Sequence, residues 1–153
     1  MKLNENARSI MGSIYYATLS TVDANSNPWN SPVYCVCDED YAIYWASDTH
    51  SQHSQNIHAN GKVFIVVYDS TVPWGTGTGV FIQAKATEVT DSNEIAKACR
   101  LRKIRVPNAN QPPDDFMGDR PRRIYRATPQ SVWINQDSKI NGHFIDVRVD
   151  AEA

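Results

Sequence analysis

The chain has 153 residues, of which 41% are hydrophobic and 21% are charged, and its formal net charge at pH 7 is −2. This composition excludes a disordered or low-complexity chain, and the length suits a single domain over residues 1–153. The longest unbroken apolar runs, among them residues 63–68, have six residues, far fewer than the about 20 that cross a bilayer. We therefore expect no association with a membrane.

The N-terminal six residues contain one acid and two amides, where a secretory signal needs an apolar stretch. The three cysteines, Cys35, Cys37 and Cys99, form no C-x-x-C motif and are odd in number, which favours a reducing compartment. We expect a cytoplasmic protein without structural disulfides.

Positive charge is concentrated in residues 97–126, which hold nine basic and three acidic side chains, a local charge of +6 that leaves −8 for the rest. Such a layout can attract an anionic ligand or the acidic face of a second copy of the chain. The acidic total and the lack of a recognised module argue against nucleic acid as a partner. A solvated basic helix and loop is the alternative for most of these residues.

The first half of the chain is predicted to form mostly short strands. Hydrophobic periodicity and turn formers predict, in chain order, a helix over 4–13, strands over 14–22, 29–37 and 41–47, and a polar helix over 49–60 that ends at Asn60 and Gly61. Pro32 cannot donate to a β-ladder, so it marks a strand edge or a bulge.

Residues 63–68 are apolar at every position, which predicts a strand covered on both faces. The remaining prediction comprises a loop over 71–79, a strand over 80–89, a basic helix over 93–105, a long loop over 107–121, and strands over 124–128, 131–135 and 143–149. Many short strands at hairpin spacing favour a mainly β architecture, a small antiparallel split β-barrel with peripheral helices. A ferredoxin-like α+β sheet is the alternative.

Several segments, in this order, resemble one family. They are ATLSTV (17–22), NP (27–28), SPV (31–33), IYWAS (43–47), SQH (51–53), NIHANGKV (56–63), the strand over 80–89 and VWI (132–134). The chain thus resembles the flavin split barrels related to pyridoxamine 5'-phosphate oxidase. The resemblance implies a six-stranded split barrel, a homodimer, and FMN in the clefts between the subunits.

The resemblance also implies cofactor contacts from the second strand, the third strand and the start of the following helix. On this chain these are Ser31, Val33, Trp45, Ala46, Ser47, Ser51, Gln52 and His53. A helix N-terminus offers unpaired amides to a phosphate. Many relatives carry basic residues where this chain has Ser31, Val36, Gln52 and His53, so we predict a weaker phosphate clamp and partial loss of FMN during purification.

His53 has two interpretations, a ring that contacts the phosphate or a solvated side chain on a polar helix. His50 lies three residues away on the same helix, but no third potential metal ligand lies at the spacing of a metal-binding motif. We therefore predict no metal site.

Three tryptophans are further candidates. Trp45 and Trp133 lie in predicted strands, where a core position is usual, although the matching segments of the family approach the flavin. Trp74 lies in a glycine-rich loop, where it can stack on a ligand, dock on a second subunit or remain exposed.

Basic residues of the 97–126 segment, from the same chain or from a partner chain, are candidates to approach the phosphate: Lys103, Arg105, Arg122 and Arg123. The alternative is that they are solvated or pair with Asp114, Asp115 and Asp119. The functional hypothesis is an FMN-binding oxidoreductase whose catalytic residues and substrate are unknown, because no acid–base pair identifies them. The alternatives are a non-catalytic flavin or small-ligand module and a relative that uses deazaflavin or haem.

Overall fold

The structure, a computed structural model, describes residues 2–152 and all of their side chains but that of Phe144. Three α-helices and seven strands follow one another in these residues: α1 (Glu5–Ser13), β1 (Tyr16–Val22), β2 (Pro28–Cys37), β3 (Ile43–Asp48), α2 (Gln52–Asn60), β4 (Lys62–Tyr68), β5 (Gly79–Glu88), α3 (Ser92–Arg105), β6 (Arg122–Ile140) and β7 (His143–Asp150). No helix within 2–152 has both the length and the apolar character to span a membrane.

The strands form one antiparallel sheet in the order β3-β2-β1-β4-β5-β6-β7, and β3 also pairs with β6. Six strands therefore close into a ring, and β7 extends the sheet from the distal half of β6. This architecture confirms the predicted split barrel and excludes the ferredoxin-like sheet, which does not close.

The predicted strands over 124–128 and 131–135 are one continuous strand, β6. In its pairing with β5, Gln83 lies opposite Ser131 and Ala84 opposite Pro129, so Gln130 is an extra residue. This β-bulge accommodates the break at Pro129 without ending the strand.

The barrel interior is filled by alternate side chains of each strand. On β4, Val63, Ile65 and Val67 are buried, whereas Phe64 and Val66 are only partly buried. The prediction that residues 63–68 are covered on both faces is wrong for the single chain, because Phe64 and Val66 on the outer face are only partly buried and Tyr68 is 50% exposed. An apolar run identifies a strand but does not reveal what covers its second face.

A second core lies outside the barrel, between β2, β3 and α3. Tyr44, Ile95 and Phe116 are each at most 1% exposed there. Phe116 belongs to a short 3-10 helix, Pro113–Phe116, within the segment predicted as a long loop. The loop is therefore anchored by an aromatic side chain.

Helix α2 fills the gap that makes the barrel split. Strands β2 and β3 pair only over residues 35–37 and 43–45, so the first part of β2 has a free edge, where Pro32 lies as predicted. Helix α2 is held to β1 by Asn56, whose Nδ2 donates to Thr21 Oγ1 at 2.9 Å. It ends at Gly61, which has a φ of +68° and leaves no room for a side chain, since a Cβ would lie 2.9 Å from the Ala86 carbonyl oxygen.

Candidate functional site

The imidazole of His53 joins the two strands that diverge at the split. Its Nδ1 lies 3.0 Å from Ser31 Oγ on β2, and its Nε2 lies 2.7 Å from Ser47 Oγ on β3. The residue is only 8% exposed. The first turn of α2 therefore inserts a polar ring where main-chain pairing between β2 and β3 is missing.

Ser51 extends this group at the start of α2. Its hydroxyl donates to the Asp48 carbonyl oxygen at 2.7 Å and lies 3.1 Å from Ser47 Oγ. Ser51 is the N-cap residue, yet its side chain makes no capping hydrogen bond. The amides of the first turn thus lack their usual side-chain acceptor. We call Ser31, Ser47, Ser51 and His53 the serine–histidine cluster.

The cluster is electrically neutral at pH 7. Burial lowers the pKa of His53 below its ordinary 6.5, so the imidazole is uncharged and donates through one nitrogen while it accepts through the other. One of Ser31 and Ser47 must therefore accept from the ring and the other must donate to it. The interpretation of His53 as a solvated side chain is wrong, and the ring could reach a phosphate only by giving up a serine.

We expect acid to destabilise the protein through His53. Neutral His53 contributes stability that is fully present above about pH 6.5 and is lost as the pH falls through its lower folded-state pKa. Chemical denaturation at pH 7.5 and pH 5.5 should show a smaller loss of unfolding free energy in His53→Gln than in wild type. His50→Gln, whose side chain is 85% exposed, should behave as wild type. Equal losses in all three proteins would contradict the assignment.

Two of the predicted contact residues face the barrel interior. Trp45 is 0% exposed and stacks on Tyr125, with ring centroids 5.8 Å apart, and Val33 is 8% exposed in the same core. Any contact of these residues with a ligand is limited to the main chain. Ala46 packs against the second core, while Gln52 is exposed and donates to Asn56 Oδ1 at 2.9 Å.

Trp133 lies on the outer face of the barrel, where it stacks on Phe64 with centroids 6.4 Å apart. Ser47 pairs with Arg123, and Trp133 follows ten positions further along β6, which is roughly 30 Å of strand. Trp133 therefore does not join the serine–histidine cluster of its own chain. Trp74 is completely exposed.

Two of the four candidate basic residues are engaged elsewhere. Arg123 pairs with Glu88, with Nε 3.1 Å from Oε1, and donates to the Gly118 carbonyl oxygen at 2.6 Å. Arg105 donates to the Met11 and Ile14 carbonyl oxygens, and Lys103 lies on the exposed side of α3. Glu88, rather than Asp114, Asp115 or Asp119, thus neutralises Arg123.

Arg122 is the candidate cation nearest to α2 in the strand register. It is exposed and lies opposite Asp48 across the β3–β6 pair. Asp48 itself accepts from His50, whose Nδ1 is 2.9 Å from Asp48 Oδ1. His50 therefore points to a surface carboxylate and His53 into the split, so the two rings do not form a chelating pair.

Sequence reasoning missed Trp29 and Ser54 as neighbours of the cluster. Trp29 Nε1 donates to Ser31 Oγ at 3.2 Å, and Ser54 Oγ lies 2.8 Å from Ser51 Oγ. Trp29 shares a strand face with Ser31, and the two-residue alternation of a strand is enough to predict that they are neighbours. The buried position of Ser54 depends on how α2 packs, for which the sequence carries no local signal.

A closed ring of six strands with a helix in its split defines the chain as a split-barrel protein. The family model described as pyridoxamine 5'-phosphate oxidase matches residues 3–136, and the chain belongs to this family. No curated protein sequence matches the chain.

Solved structures show the same fold at low sequence identity. HutZ, the heme storage protein of Vibrio cholerae, aligns with a TM-score of 0.71 at 19% identity over 86% of this chain and 94% of its own. A heme binding protein from Mycobacterium smegmatis aligns at 0.70 and 18%, over 94% and 57% of the two chains. General Stress Protein 26 from Bacillus anthracis aligns at 0.61 and 18%, over 94% and 97%.

Proposed function

We propose that the chain binds FMN, with the phosphate at the N-terminus of α2. The observation that carries this proposal is the uncapped first turn of α2, which begins beside the hydroxyls of Ser47 and Ser51 where β2 and β3 diverge. Helix N-terminal amides and hydroxyls are suitable donors to a phosphate. Membership of the pyridoxamine 5'-phosphate oxidase family supports the choice of flavin.

The hydrogen-bond donors at the start of α2 can hold a phosphate, but they bind it weakly. The main-chain amides of Gln52 and His53 would hold it, and the hydroxyl of Ser51 would join them by turning its proton away from the Asp48 carbonyl oxygen. The buried His53 ring keeps Ser31 and Ser47 in place. The cluster contains no cation, and the Asp48 carboxylate nearby opposes a second negative charge. Arg122, opposite Asp48 in the β3–β6 register, is the residue that could offset this carboxylate.

When bound, FMN supplies hydride and electron transfer at its ring, so the activity we propose is that of an oxidoreductase. The residues of this chain bind and orient the cofactor. The proposal leaves the substrate open.

We further propose that the active protein is a homodimer. The outer face of β1, β4, β5 and β6 carries aromatic side chains that the chain covers only in part: Arg148 of β7 lies over Phe64, whereas Tyr16 is 60% and Tyr68 is 50% exposed. Exposed apolar patches of this kind mark interaction surfaces. Trp133 lies on this face, roughly 30 Å of strand from its own cluster, so a second chain is required to bring a Trp133 to the site. Light scattering at micromolar concentration tests this, and a monomeric mass would contradict the shared site.

The test of cofactor binding uses a charge at the N-cap. Ser51→Asp keeps a residue that caps helices well but places a carboxylate beside the phosphate. We expect a loss of FMN affinity of roughly tenfold or more, measured by quenching of flavin fluorescence. Binding of riboflavin, which lacks the phosphate, should be unchanged, and Ser13→Asp at the far end of α1 is the matched control. No FMN binding to the wild type at high micromolar ligand would overturn the proposal.

A haem-binding protein is the second candidate, since two of the similar structures are a heme storage protein and a heme binding protein. The serine–histidine cluster favours it less, because both nitrogens of His53 are engaged by serines, whereas haem iron is held by a free side-chain ligand. Titration with haemin distinguishes haem binding from FMN binding. A saturable Soret shift in a protein that binds no FMN would support haem.

A further inference from the structure

A cavity of about 580 Å³ opens on the outer face of the barrel, over β1, β4 and β5. Val22 and Phe64 contribute apolar surface to it, and Lys62 and Lys85 contribute charge. Its volume lies within the range of small-molecule sites. None of its lining residues belongs to the serine–histidine cluster.

The two lysines face each other. Lys62 lies directly opposite Lys85 in the β4–β5 register, so both side chains project from the same face of the sheet. Among residues 2–152, neither ammonium forms an ion pair with a carboxylate. Like charges in directly opposed positions destabilise a sheet. An anion between the two ammonium groups would relieve this repulsion.

The surroundings complete a concave site. Gln130, the extra residue of the β6 bulge, lines the cavity together with Gln83 and Asn60, so amide groups surround an apolar surface. The Lys85 stem passes over the turn between α2 and β4, with its Cε 3.5 Å from the position of a Cβ at Gly61. Because Gly61 immediately precedes Lys62, this packing keeps the Lys85 stem beside the first residue of β4.

We propose that this cavity binds a small organic anion with an aromatic or aliphatic body. The carboxylate, sulfonate or phosphate lies between Lys62 and Lys85, and the apolar body lies against Phe64 and Val22. An acidic side chain of a second copy of the chain is the competing occupant. The proposal does not rest on FMN binding, because the two sites use different residues. The cavity lies on the face proposed for the homodimer, at the end of β1 and β4 opposite to the exposed tyrosines, and the proposal requires that the second chain leaves this end open.

The test titrates naphthalene-2-sulfonate, a rigid aromatic anion, into the full-length ¹⁵N-labelled protein. We expect saturable amide shifts at Lys62, Phe64, Gln83 and Lys85. The double variant Lys62→Gln/Lys85→Gln should weaken binding roughly tenfold or more, because two charge-assisted contacts are lost. Removing two charges from α3, by Arg100→Gln/Lys103→Gln, should leave the affinity unchanged.

A neutral probe separates the charge from the apolar contact. Naphthalene-2-methanol should bind the wild type at least about tenfold more weakly than the sulfonate, with no difference between wild type and the Lys62/Lys85 variant. The proposal is overturned if no saturable shifts occur at the cavity, or if the double variant binds the sulfonate as wild type does. It is also overturned if that variant changes only the oligomeric mass in light scattering, since the lysines then serve self-association.

Discussion

Trp45→Ala is expected to lower the free energy of unfolding by about 3–5 kcal/mol, the usual cost of truncating a large buried aromatic side chain. Trp45 is 0% exposed and loses its stacking on Tyr125 in this variant. The resulting cavity lies between β3 and β6, the pair that closes the ring. Urea denaturation followed by circular dichroism measures the effect.

Trp45→Phe is the matched control for this prediction. The indole Nε1 has no hydrogen-bond partner among the described residues, so phenylalanine removes volume without breaking a hydrogen bond. We expect a loss less than half as large as that of alanine. A Trp45→Ala protein that keeps its stability but loses FMN affinity would instead show that the indole belongs to the cofactor site.

Asp38→Ala is expected to cost about 2–3 kcal/mol of unfolding free energy. Asp38 is buried at the β2–β3 turn, where it accepts from Lys97 Nζ at 2.7 Å, the Ala42 amide at 2.9 Å and Tyr44 Oη at 3.2 Å. Alanine leaves the buried Ala42 amide without its acceptor and removes the closest partner of Lys97, whereas Tyr44 Oη keeps its contact with α3 through Glu94 Oε1 at 3.1 Å. The cost stays at the lower end of the range for buried ion pairs because Lys97 is 34% exposed and water can solvate it.

Glu39→Ala is the control, because Glu39 approaches the same ammonium, 3.9 Å away, but is 77% exposed. Its loss should change stability by at most about 0.5 kcal/mol. Equal effects of the two variants in thermal denaturation would contradict the role of burial.

The Asp38 contribution also depends on pH. Burial by itself would raise the pKa of Asp38, but hydrogen bonds from Lys97 and from the Ala42 and Asp40 amides outweigh it and hold the pKa below the ordinary 3.8. The stabilisation is therefore fully present above about pH 4 and is lost as the pH falls through the lower folded-state value. Between pH 4 and pH 2, wild type should lose more stability than Asp38→Ala.

Much of the local structure could be predicted from the sequence. Alternation at period two located β1 and β5, and Asn60 and Gly61 marked the end of α2, because these signals depend on neighbouring residues. The order of the family-like segments predicted the family, and that order together with the many short strands predicted the split barrel. The candidate residues at the start of α2 could also be predicted from the sequence, because a helix boundary depends on a few neighbouring residues.

The tertiary structure alone decided what each side chain meets. His53 lies between Ser31 and Ser47, and Arg123 pairs with a glutamate 35 positions away. These contacts depend on strand register and on the closure of β3 with β6, which no local pattern encodes. For the same reason the apolar run at 63–68 identified a strand but not how far its outer face is covered. Periodicity reports which residues share a face, and only packing determines what lies against it.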